Sequence, residues 1–283
     1  METVNNKSDF ISANNVSFSY SESGKNAVSG VSFSAVPGEH IALVGPNGSG
    51  KTTLFKILNG TFRPANGEVL LDKKNILKFS ALDRAGRIAY VPQGSKINFP
   101  YTCLELTLMG LYPHKTLSVF PGEAALSRTE EIMRETGAWR FATKNVNTLS
   151  GGELQLVLLT RALLQIFPDS NEEDEKHTAK LLLLDEAFSE LDIAVRICMM
   201  KLLNRTLEKR SFTIIGIHHD LHLAYRFASR VIALNEGCLA GDGPPDVIFS
   251  REFFAGVFGV EAEIIPGKGF LFHGETESGN SGY

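Results

Sequence analysis

Apolar residues in this chain come in short runs, and each run is followed by a turn residue or a segment with helical periodicity. Runs of this length are typical of strands that are buried on both faces of a parallel sheet. Five such runs occupy residues 40–44, 88–91, 181–184, 212–217 and 231–234. Helical periodicity is found over 51–58, which stops at Asn59-Gly60, and over 194–209. This alternation predicts an α/β fold whose helices cover both faces of the sheet.

Two regions depart from this alternation. Residues 100–145 contain no strand pattern, and 126–139 suit helices, which predicts a helical lobe inserted between two strands of the sheet. Residues 16–20 and 31–34 alternate between apolar and polar side chains with a period of two, as strands of an antiparallel sheet do. The first forty residues are therefore expected to form a separate antiparallel piece.

Two polar stretches are predicted to lie at the surface. Four consecutive acidic residues at 172–175, within the segment 169–177, are typical of a solvated loop, with a regulatory or metal-binding role as the alternative. Residues 275–283 are rich in glycine, serine and glutamate, a composition that predicts disorder.

Composition and charge disfavour several classes of protein. The 283 residues are 43% hydrophobic with a formal net charge of −4, whereas a protein that binds nucleic acid mainly by electrostatic attraction is usually basic. The cysteines, Cys103, Cys198 and Cys238, form no CxxC pair and are interpreted as buried, reduced thiols. The N-terminal residues lack a signal-peptide pattern and no run of 18 apolar residues occurs, so we expect a soluble cytoplasmic protein.

The segment after the first buried run carries a phosphate-binding motif, because residues 45–52 match G-x-x-x-x-G-K-[ST] between a predicted strand and a predicted helix. Glycine lets the backbone point its N–H groups inward, and the helix N-terminus favours negative charge there. Lys51 is predicted to reach the outer phosphates and Thr52 to ligate Mg²⁺. The alternative is a glycine-rich turn that only caps the helix. The residues assigned to the nucleotide here are Gly45, Pro46, Asn47, Gly48, Ser49, Gly50, Lys51, Thr52 and Thr53.

A pair of acidic residues follows the apolar run 181–184. An apolar strand that ends in an acid beside a phosphate loop is the Walker B arrangement. Asp185 is predicted to help hold Mg²⁺ through water, and Glu186 is predicted to act as general base towards the attacking water. The alternative is a pair of surface acids at the end of a strand.

The residues between these two motifs narrow the class of protein. The pentapeptide LSGGE at 149–153 precedes a helix predicted over 154–165, so Ser150 can cap that helix and Glu153 can complete a capping box. An ordinary helix cap is therefore one interpretation. The position of the pentapeptide between the phosphate loop and the acidic strand resembles the signature sequence of ATP-binding cassette (ABC) ATPases. The resemblance covers roughly residues 10–260.

Further motifs of that family occur in the expected order. Tyr20 resembles the aromatic residue that stacks on adenine, with a tyrosine of a core strand as the alternative. Gln93 resembles the Q-loop glutamine, which touches Mg²⁺ and water, and we assign it to the metal and to catalysis. Residues 189–192 resemble the D-loop, whose Asp192 is assigned to the ATP site. His219 resembles the switch histidine that contacts the γ-phosphate and is assigned to catalysis.

Zinc binding is the alternative for the histidine region. His218, His219 and His222 lie close together in the sequence, with His218 and His222 spaced i, i+4. The second position is histidine rather than glutamate, so the pattern H-E-x-x-H is not met.

The chain also departs from the family pattern at three places. Ala187-Phe188 stands where Pro-Thr is usual, Leu156 stands where arginine is usual, and the loop after the signature helix is longer. None of these changes removes a residue that the resemblance assigns to nucleotide, so we expect an active ATPase.

The resemblance implies a P-loop NTPase (RecA-like) core with an antiparallel β subdomain and an inserted α-helical subdomain. The nucleotide-binding domain would span 10–260, its helical subdomain about 100–165, and a short C-terminal extension 261–283. Two copies would pair head to tail, so that the signature of each copy contacts the ATP held by the other. The signature residues assigned to ATP are Ser150, Gly151, Gly152 and Glu153.

A single cassette of this family works with a permease made by other chains, as in bacterial importers. The series of motifs over 219–260 is similar to that of importers of ferric siderophores, haem and cobalamin, and we rank an iron chelate or haem above cobalamin. The alternatives are a soluble cassette that acts on ribosomes or DNA, an exporter cassette, and a regulatory cassette without catalysis.

The implied partners are a second copy of the chain, integral permease subunits and, indirectly, a substrate-binding protein. Nucleic acid binding and direct contact with the cargo are not expected. The chain would be peripheral, at the cytoplasmic face of the inner membrane. The lobe 100–145 and the Gln93 loop would receive the coupling helix of the permease, with Tyr101 and Leu104 as surface positions.

Overall fold

The computed structural model describes residues 10–21, 24–94, 97–114, 122–168 and 180–272. Its strands are β1 (Ile11–Phe18), β2 (Val28–Ala35), β3 (His40–Val44), β4 (Asn66–Leu71), β5 (Lys74–Asn75), β6 (Ile88–Val91), β7 (Leu181–Asp185), β8 (Thr213–Ile217), β9 (Arg230–Asn235), β10 (Cys238–Gly243), β11 (Ala262–Ile265) and β12 (Gly269–Phe272). Its α-helices are α1 (Lys51–Leu58), α2 (Ala81–Ala85), α3 (Cys103–Leu108), α4 (Glu123–Thr136), α5 (Gly151–Ile166), α6 (Ile193–Lys209), α7 (Leu221–Phe227), α8 (Pro245–Ile248) and α9 (Arg251–Phe253). Short 3-10 turns occupy Ile76–Lys78, Met109–His114, Ala138–Phe141 and Val146–Thr148, and a π-helical turn occupies Phe254–Phe258.

The central sheet has six strands in the order β10-β9-β3-β8-β7-β6. β9, β3, β8, β7 and β6 are parallel, and β10 is antiparallel to β9 at one edge. All residues of β3, β7 and β8 are buried, which explains why these strands are almost uninterrupted apolar runs in the sequence. The α/β prediction is confirmed, and each of the five predicted runs is a strand within one residue at either end.

A second, antiparallel sheet has the order β2-β1-β4-β5 and packs its apolar face with α1 and one face of the central sheet. β1 pairs with β2 through Ile11 and Ala35 and with β4 through Ile11 and Leu71. The strand predicted over 16–20 is longer at its start and ends at Phe18, so Tyr20 lies beyond it.

The helical lobe contains α3, α4 and α5 around an apolar core. Its described residues contain no strand, apart from one isolated bridge between Thr102 and Asn145. Tyr101 and Leu104, which were expected at the surface, are half-buried and pack against this core. The reason is that backbone hydrogen bonds attach this segment to the chain at Ala142 and at residue 146, at 2.9 Å in both cases.

A C-terminal cluster of aromatic side chains covers the far side of β3. Phe249, Phe254 and Phe270 pack there with Ala42 and Val44, so the β11–β12 hairpin rests on the central sheet next to α7. The predicted disordered tail 275–283 and the acidic stretch 169–177 lie outside the described residues.

The cysteines differ from the expectation in their burial. Cys103 is buried in the lobe as expected, but Cys198, on α6, and Cys238, at the start of β10, are exposed. Within the described ranges, no helix combines the length and the apolar run that are needed to cross a membrane.

Candidate functional site

The predicted phosphate loop runs from the end of β3 into α1. Gly45 has φ +145° and Gly50 has φ +100°. A Cβ on Gly45 would lie 2.1 Å from the carbonyl oxygen of Leu234, and a Cβ on Gly50 would lie 2.2 Å from that of Ala27. Both positions therefore require glycine, because the backbone of a neighbouring segment occupies the space of a side chain.

Lys51 folds back into the curve of this loop. Its Nζ donates hydrogen bonds to the carbonyl oxygens of Gly45 at 2.9 Å and Pro46 at 2.8 Å. Burial lowers the pKa of the Lys51 ammonium, while the negative charges of Glu186 and Asp185 oppose that shift. The loop lysine and the two acids thus share one electrostatic environment.

Ser49 adds an unpaired hydroxyl to the loop. Its Oγ is buried and has no hydrogen-bond partner among the described residues. Leaving a buried polar group unpaired costs free energy, so this hydroxyl is suited to a ligand. The first turn of α1 carries no acidic residue, which leaves the positive end of the helix dipole uncompensated. A cation, a free donor and a helix N-terminus together suit a polyphosphate.

Tyr20 stands beside the loop with its ring largely in solvent. Its hydroxyl is hydrogen-bonded to Oγ1 of Thr53 at 2.9 Å, and the ring is 66% exposed. The Tyr20 ring makes edge-to-face contacts with the rings of Phe18 and Phe62, at centroid distances of 5.2 and 5.8 Å. The alternative of a tyrosine in a core strand is therefore wrong, and the exposed Tyr20 stands beside Thr53 of the phosphate loop.

The two acids predicted after β7 differ in their surroundings. Asp185 is buried and accepts a hydrogen bond from the Tyr90 hydroxyl at 2.6 Å. Burial, and then the hydrogen bond to Asp185, raise the pKa of Tyr90, so its hydroxyl remains a donor at ordinary pH. Glu186 has φ +50°, and its Oε1 lies 2.5 Å from Nε2 of His219.

Sheet register explains why Glu186 meets His219. β7 and β8 are adjacent and parallel, and Asp185 is opposite Ile217. The residues that leave the carboxyl ends of these two strands consequently emerge side by side. Nε2 of His219 donates to the carboxylate, which fixes the orientation of the general base that the sequence predicts.

The Q-loop and D-loop residues lie next to this pair. Nε2 of Gln93 donates to Oγ of Ser189 at 3.4 Å, and Ser189 Oγ donates to the carbonyl oxygen of Glu186 at 2.9 Å. Gln93 and Asp192 are both exposed. Asp192 begins α6 without a side-chain capping bond, so its carboxylate remains available to a partner.

The signature residues form a helix cap in this chain. Glu153 accepts from the backbone N–H of Ser150 at 2.8 Å, and Ser150 Oγ accepts from the backbone N–H of Glu153, which completes the capping box at the start of α5. The helix begins at Gly151 rather than at residue 154 because this cap includes both glycines. No hydrogen bond among the described residues joins 150–153 to the phosphate loop.

His218, His219 and His222, which were considered as a possible zinc site, contact different parts of the structure. His219 contacts Glu186, whereas His222 stacks on Phe270 at a centroid distance of 4.3 Å. His218 is buried beside His40, and burial lowers its pKa to about 3. Among the described residues, no group of three or more His, Cys, Asp or Glu side chains could hold a metal ion.

The departures from the family pattern are accommodated by apolar packing. Leu156 and Phe188 are both buried in the core of the lobe. Nε2 of Gln155 donates to the carbonyl oxygen of Ala187 and is 3.5 Å from that of Pro92. One amide on α5 therefore holds the segment after Glu186 and the start of the Q-loop.

Three side chains that contact the predicted motifs were not singled out by sequence reasoning, namely Tyr90, Gln155 and Arg196. Arg196 Nε donates to the carbonyl oxygen of Leu191 at 2.7 Å, and its guanidinium lies 3.2 Å from the carboxylate of Asp220. Each of the three connects motifs that are distant along the chain, and a one-dimensional pattern contains no signal for such contacts. Tyr90 alone carried a hint, because a tyrosine interrupts an otherwise aliphatic strand.

The comparisons with known proteins define the class. The sequence pattern described as ABC transporter matches residues 28–189, which is more than half of the chain. The chain belongs to the ABC transporter family and is an ATP-binding, ATP-hydrolysing subunit of such a transporter. The expected P-loop NTPase core of an ABC ATPase is confirmed.

Several similar relatives are ATP-binding proteins of hemin importers. The chain is 35% identical over 245 residues to the hemin import ATP-binding protein HmuV of Rhodopseudomonas palustris strain BisA53, covering 87% of both chains. It is 36% identical over 233 residues to HmuV of Myxococcus xanthus, covering 82% of this chain and 84% of that one. The fold is also similar to a transporter described as metal-chelate type in an inward-facing conformation, with a TM-score of 0.76, 21% identity and coverage of 95% and 99%.

Proposed function

We propose that this chain hydrolyses ATP to power the import of hemin, or of another iron chelate such as a ferric siderophore, through a separate membrane permease. The observation that supports this cargo is the 35% identity to a hemin import ATP-binding protein over 87% of both chains. The cassette does not contact the cargo in this proposal, so its own site supports the ATPase and its relatives support the cargo. Cobalamin is the alternative cargo.

The nucleotide site is proposed to consist of residues 45–53 together with Tyr20. The Lys51 ammonium, the unpaired hydroxyl of Ser49 and the N-terminus of α1 suit the phosphates. The exposed ring of Tyr20 suits stacking on adenine, with the hydrogen bond to Thr53 holding it in place.

The residues present fit Mg²⁺ by their donor chemistry. The hydroxyl of Thr52, the carboxylate of Asp185 and the amide oxygen of Gln93 are hard oxygen ligands, which Mg²⁺ prefers, and Asp185 acts electrostatically on the loop lysine. Bound there with water, the ion would neutralise charge on the phosphates. Glu186 is the proposed general base, and the Nε2–H of His219 orients its carboxylate.

A second copy is proposed to complete the site. Ser150 and the carboxylate of Glu153 cap α5 in the single copy, so an anion at the exposed Gly151 and the helix N-terminus would have to displace that carboxylate. Head-to-tail pairing would place this end against the ATP of the partner copy, with Asp192 nearby. Hydrolysis would then open the pair and drive transport.

The permease is proposed to dock in a groove between the edge strand β6 and the helical lobe. The groove is lined by Ile97, Phe99, Tyr101, Met109 and Arg161 among others. Burial lowers the pKa of the Arg161 guanidinium, which lines this groove. A permease segment with an apolar face and one carboxylate would complement this groove, which would hold the chain at the cytoplasmic face of the inner membrane.

Growth of a strain that lacks this chain tests the proposal. The strain receives hemin, a defined ferric siderophore, or cobalamin-dependent medium, one at a time. We expect loss of growth on hemin or the siderophore, restored by the wild-type chain but not by Lys51→Ala. Loss of growth on the cobalamin medium alone would identify cobalamin as the cargo instead. Full growth on all three media would overturn the iron proposal.

A further inference from the structure

We propose that Tyr90 is a positioning residue that orients the carboxylate of Asp185 for the metal-bound nucleotide. The inference rests on the proposed role of Asp185 at Mg²⁺ and assigns the neighbouring strand a part in it. It is carried by a single contact, the 2.6 Å hydrogen bond from the Tyr90 hydroxyl to Oδ2 of Asp185.

Strand pairing brings the two side chains together. Tyr90 on β6 is paired with Leu183 on β7, and Asp185 lies two residues further along β7. Residues two apart point to the same face of a strand, so a long side chain opposite Leu183 can reach Asp185. A phenylalanine would fill the same space but could not donate a hydrogen bond.

The surroundings of Asp185 make this bond important. Its side chain is 8% exposed, and Tyr90 is the only side chain among the described residues whose hydrogen bond to it is seen. A buried carboxylate with one anchored oxygen presents the other oxygen in a defined direction. Partners of this kind set the orientation of metal ligands, and their removal typically weakens metal binding about 10- to 100-fold.

Tyr90 also lines the groove proposed for the permease, and the hydroxyl of the same residue contacts Asp185. Tyr90 thus belongs both to the lining of the groove and to the surroundings of Asp185.

The test compares nucleotide affinity with and without metal. The purified chain is titrated with a fluorescent ATP analogue in Mg²⁺ and in EDTA, and the ratio of the two Kd values measures the contribution of the metal. We expect Tyr90→Phe to reduce this ratio on the order of tenfold while the Kd in EDTA stays within about twofold. Tyr225→Phe is the matched control, because Tyr225 also donates to a carboxylate, that of Asp246, and neither residue is assigned to the nucleotide or the metal.

A double-mutant cycle separates positioning from general damage. In an Asp185→Ala background, which has no acceptor for the Tyr90 hydroxyl, Tyr90→Phe should leave the ratio unchanged. An unchanged ratio in the single variant Tyr90→Phe would overturn the inference, as would an equal further loss in the Asp185→Ala background. A wild-type chain without any Mg²⁺ dependence, or a Lys51→Ala variant with normal affinity, would instead contradict the proposed nucleotide site.

Discussion

Arg196 connects the D-loop to the helix that follows His219, and its removal should affect both stability and turnover. Its Nε donates to the carbonyl oxygen of Leu191 at 2.7 Å, and its guanidinium lies 3.2 Å from Asp220. Asp220 in turn caps α7 by accepting from the backbone N–H of Leu223 at 3.1 Å. One side chain therefore holds the segment that follows Glu186 and the segment that follows His219.

The cost of Arg196→Ala follows from these two contacts. The hydrogen bond from a charged donor to a carbonyl is worth about 1.5–3 kcal/mol. The ion pair adds less than about 1 kcal/mol, because its side chains are 23% and 30% exposed and solvent screens them. We expect a loss of about 2–3 kcal/mol in the free energy of unfolding, and a fall in kcat on the order of tenfold as the D-loop loses its anchor.

Urea unfolding and ATPase kinetics measure both effects. Arg134→Ala is the control, because Arg134 forms an ion pair with Glu130 at 2.7 Å whose side chains are 59% and 42% exposed, and it should cost less than about 1 kcal/mol. Arg196→Lys should rescue little, since an ammonium cannot serve both partners as a guanidinium does. If Arg196→Ala behaves like Arg134→Ala in both assays, the reasoning is refuted.

Three further predictions concern catalysis, docking and pH. Glu186→Gln should lower kcat roughly 10²-fold or more while ATP still binds, and unchanged turnover would indicate a regulatory cassette. Phe99→Ser, at a residue that is 64% exposed in the groove, should weaken co-purification with the permease and spare basal ATPase, whereas the equally exposed Val247→Ser should change neither. Since burial lowers the pKa of His218 to about 3, its unfolded form gains a proton first as pH falls below its ordinary value of 6.5. Stability should therefore fall by up to about 2 kcal/mol between pH 6.5 and pH 5, and His218→Gln should reduce this slope if the variant folds.

The architecture was predictable because its buried strands correspond to apolar runs in the sequence. β3 and α1 have the bounds that the pattern predicts, and the phosphate loop lies between them. Adjacent parallel strands end at one edge of the sheet, so the approach of the acids to the loop was also predictable.

The contacts that orient the site were not predictable, because they depend on which strands and helices become neighbours. Tyr90 reaches Asp185 only through the pairing of β6 with β7, and Gln155 reaches Ala187 only through the packing of α5. The prediction that Tyr101 is a surface position was wrong for the same reason, because its side chain packs against the core of the helical lobe.

Uptake of radiolabelled hemin tests the central claim most directly. Cells that lack this chain are supplied with the wild-type chain, Glu186→Gln or Lys51→Ala, and the initial rate of uptake is compared. We expect uptake to return with the wild-type chain and to remain at the level of the deletion strain with either variant, while unlabelled cobalamin does not compete. Normal uptake with Glu186→Gln would contradict the account, and no hemin uptake with the wild-type chain would exclude hemin as the cargo.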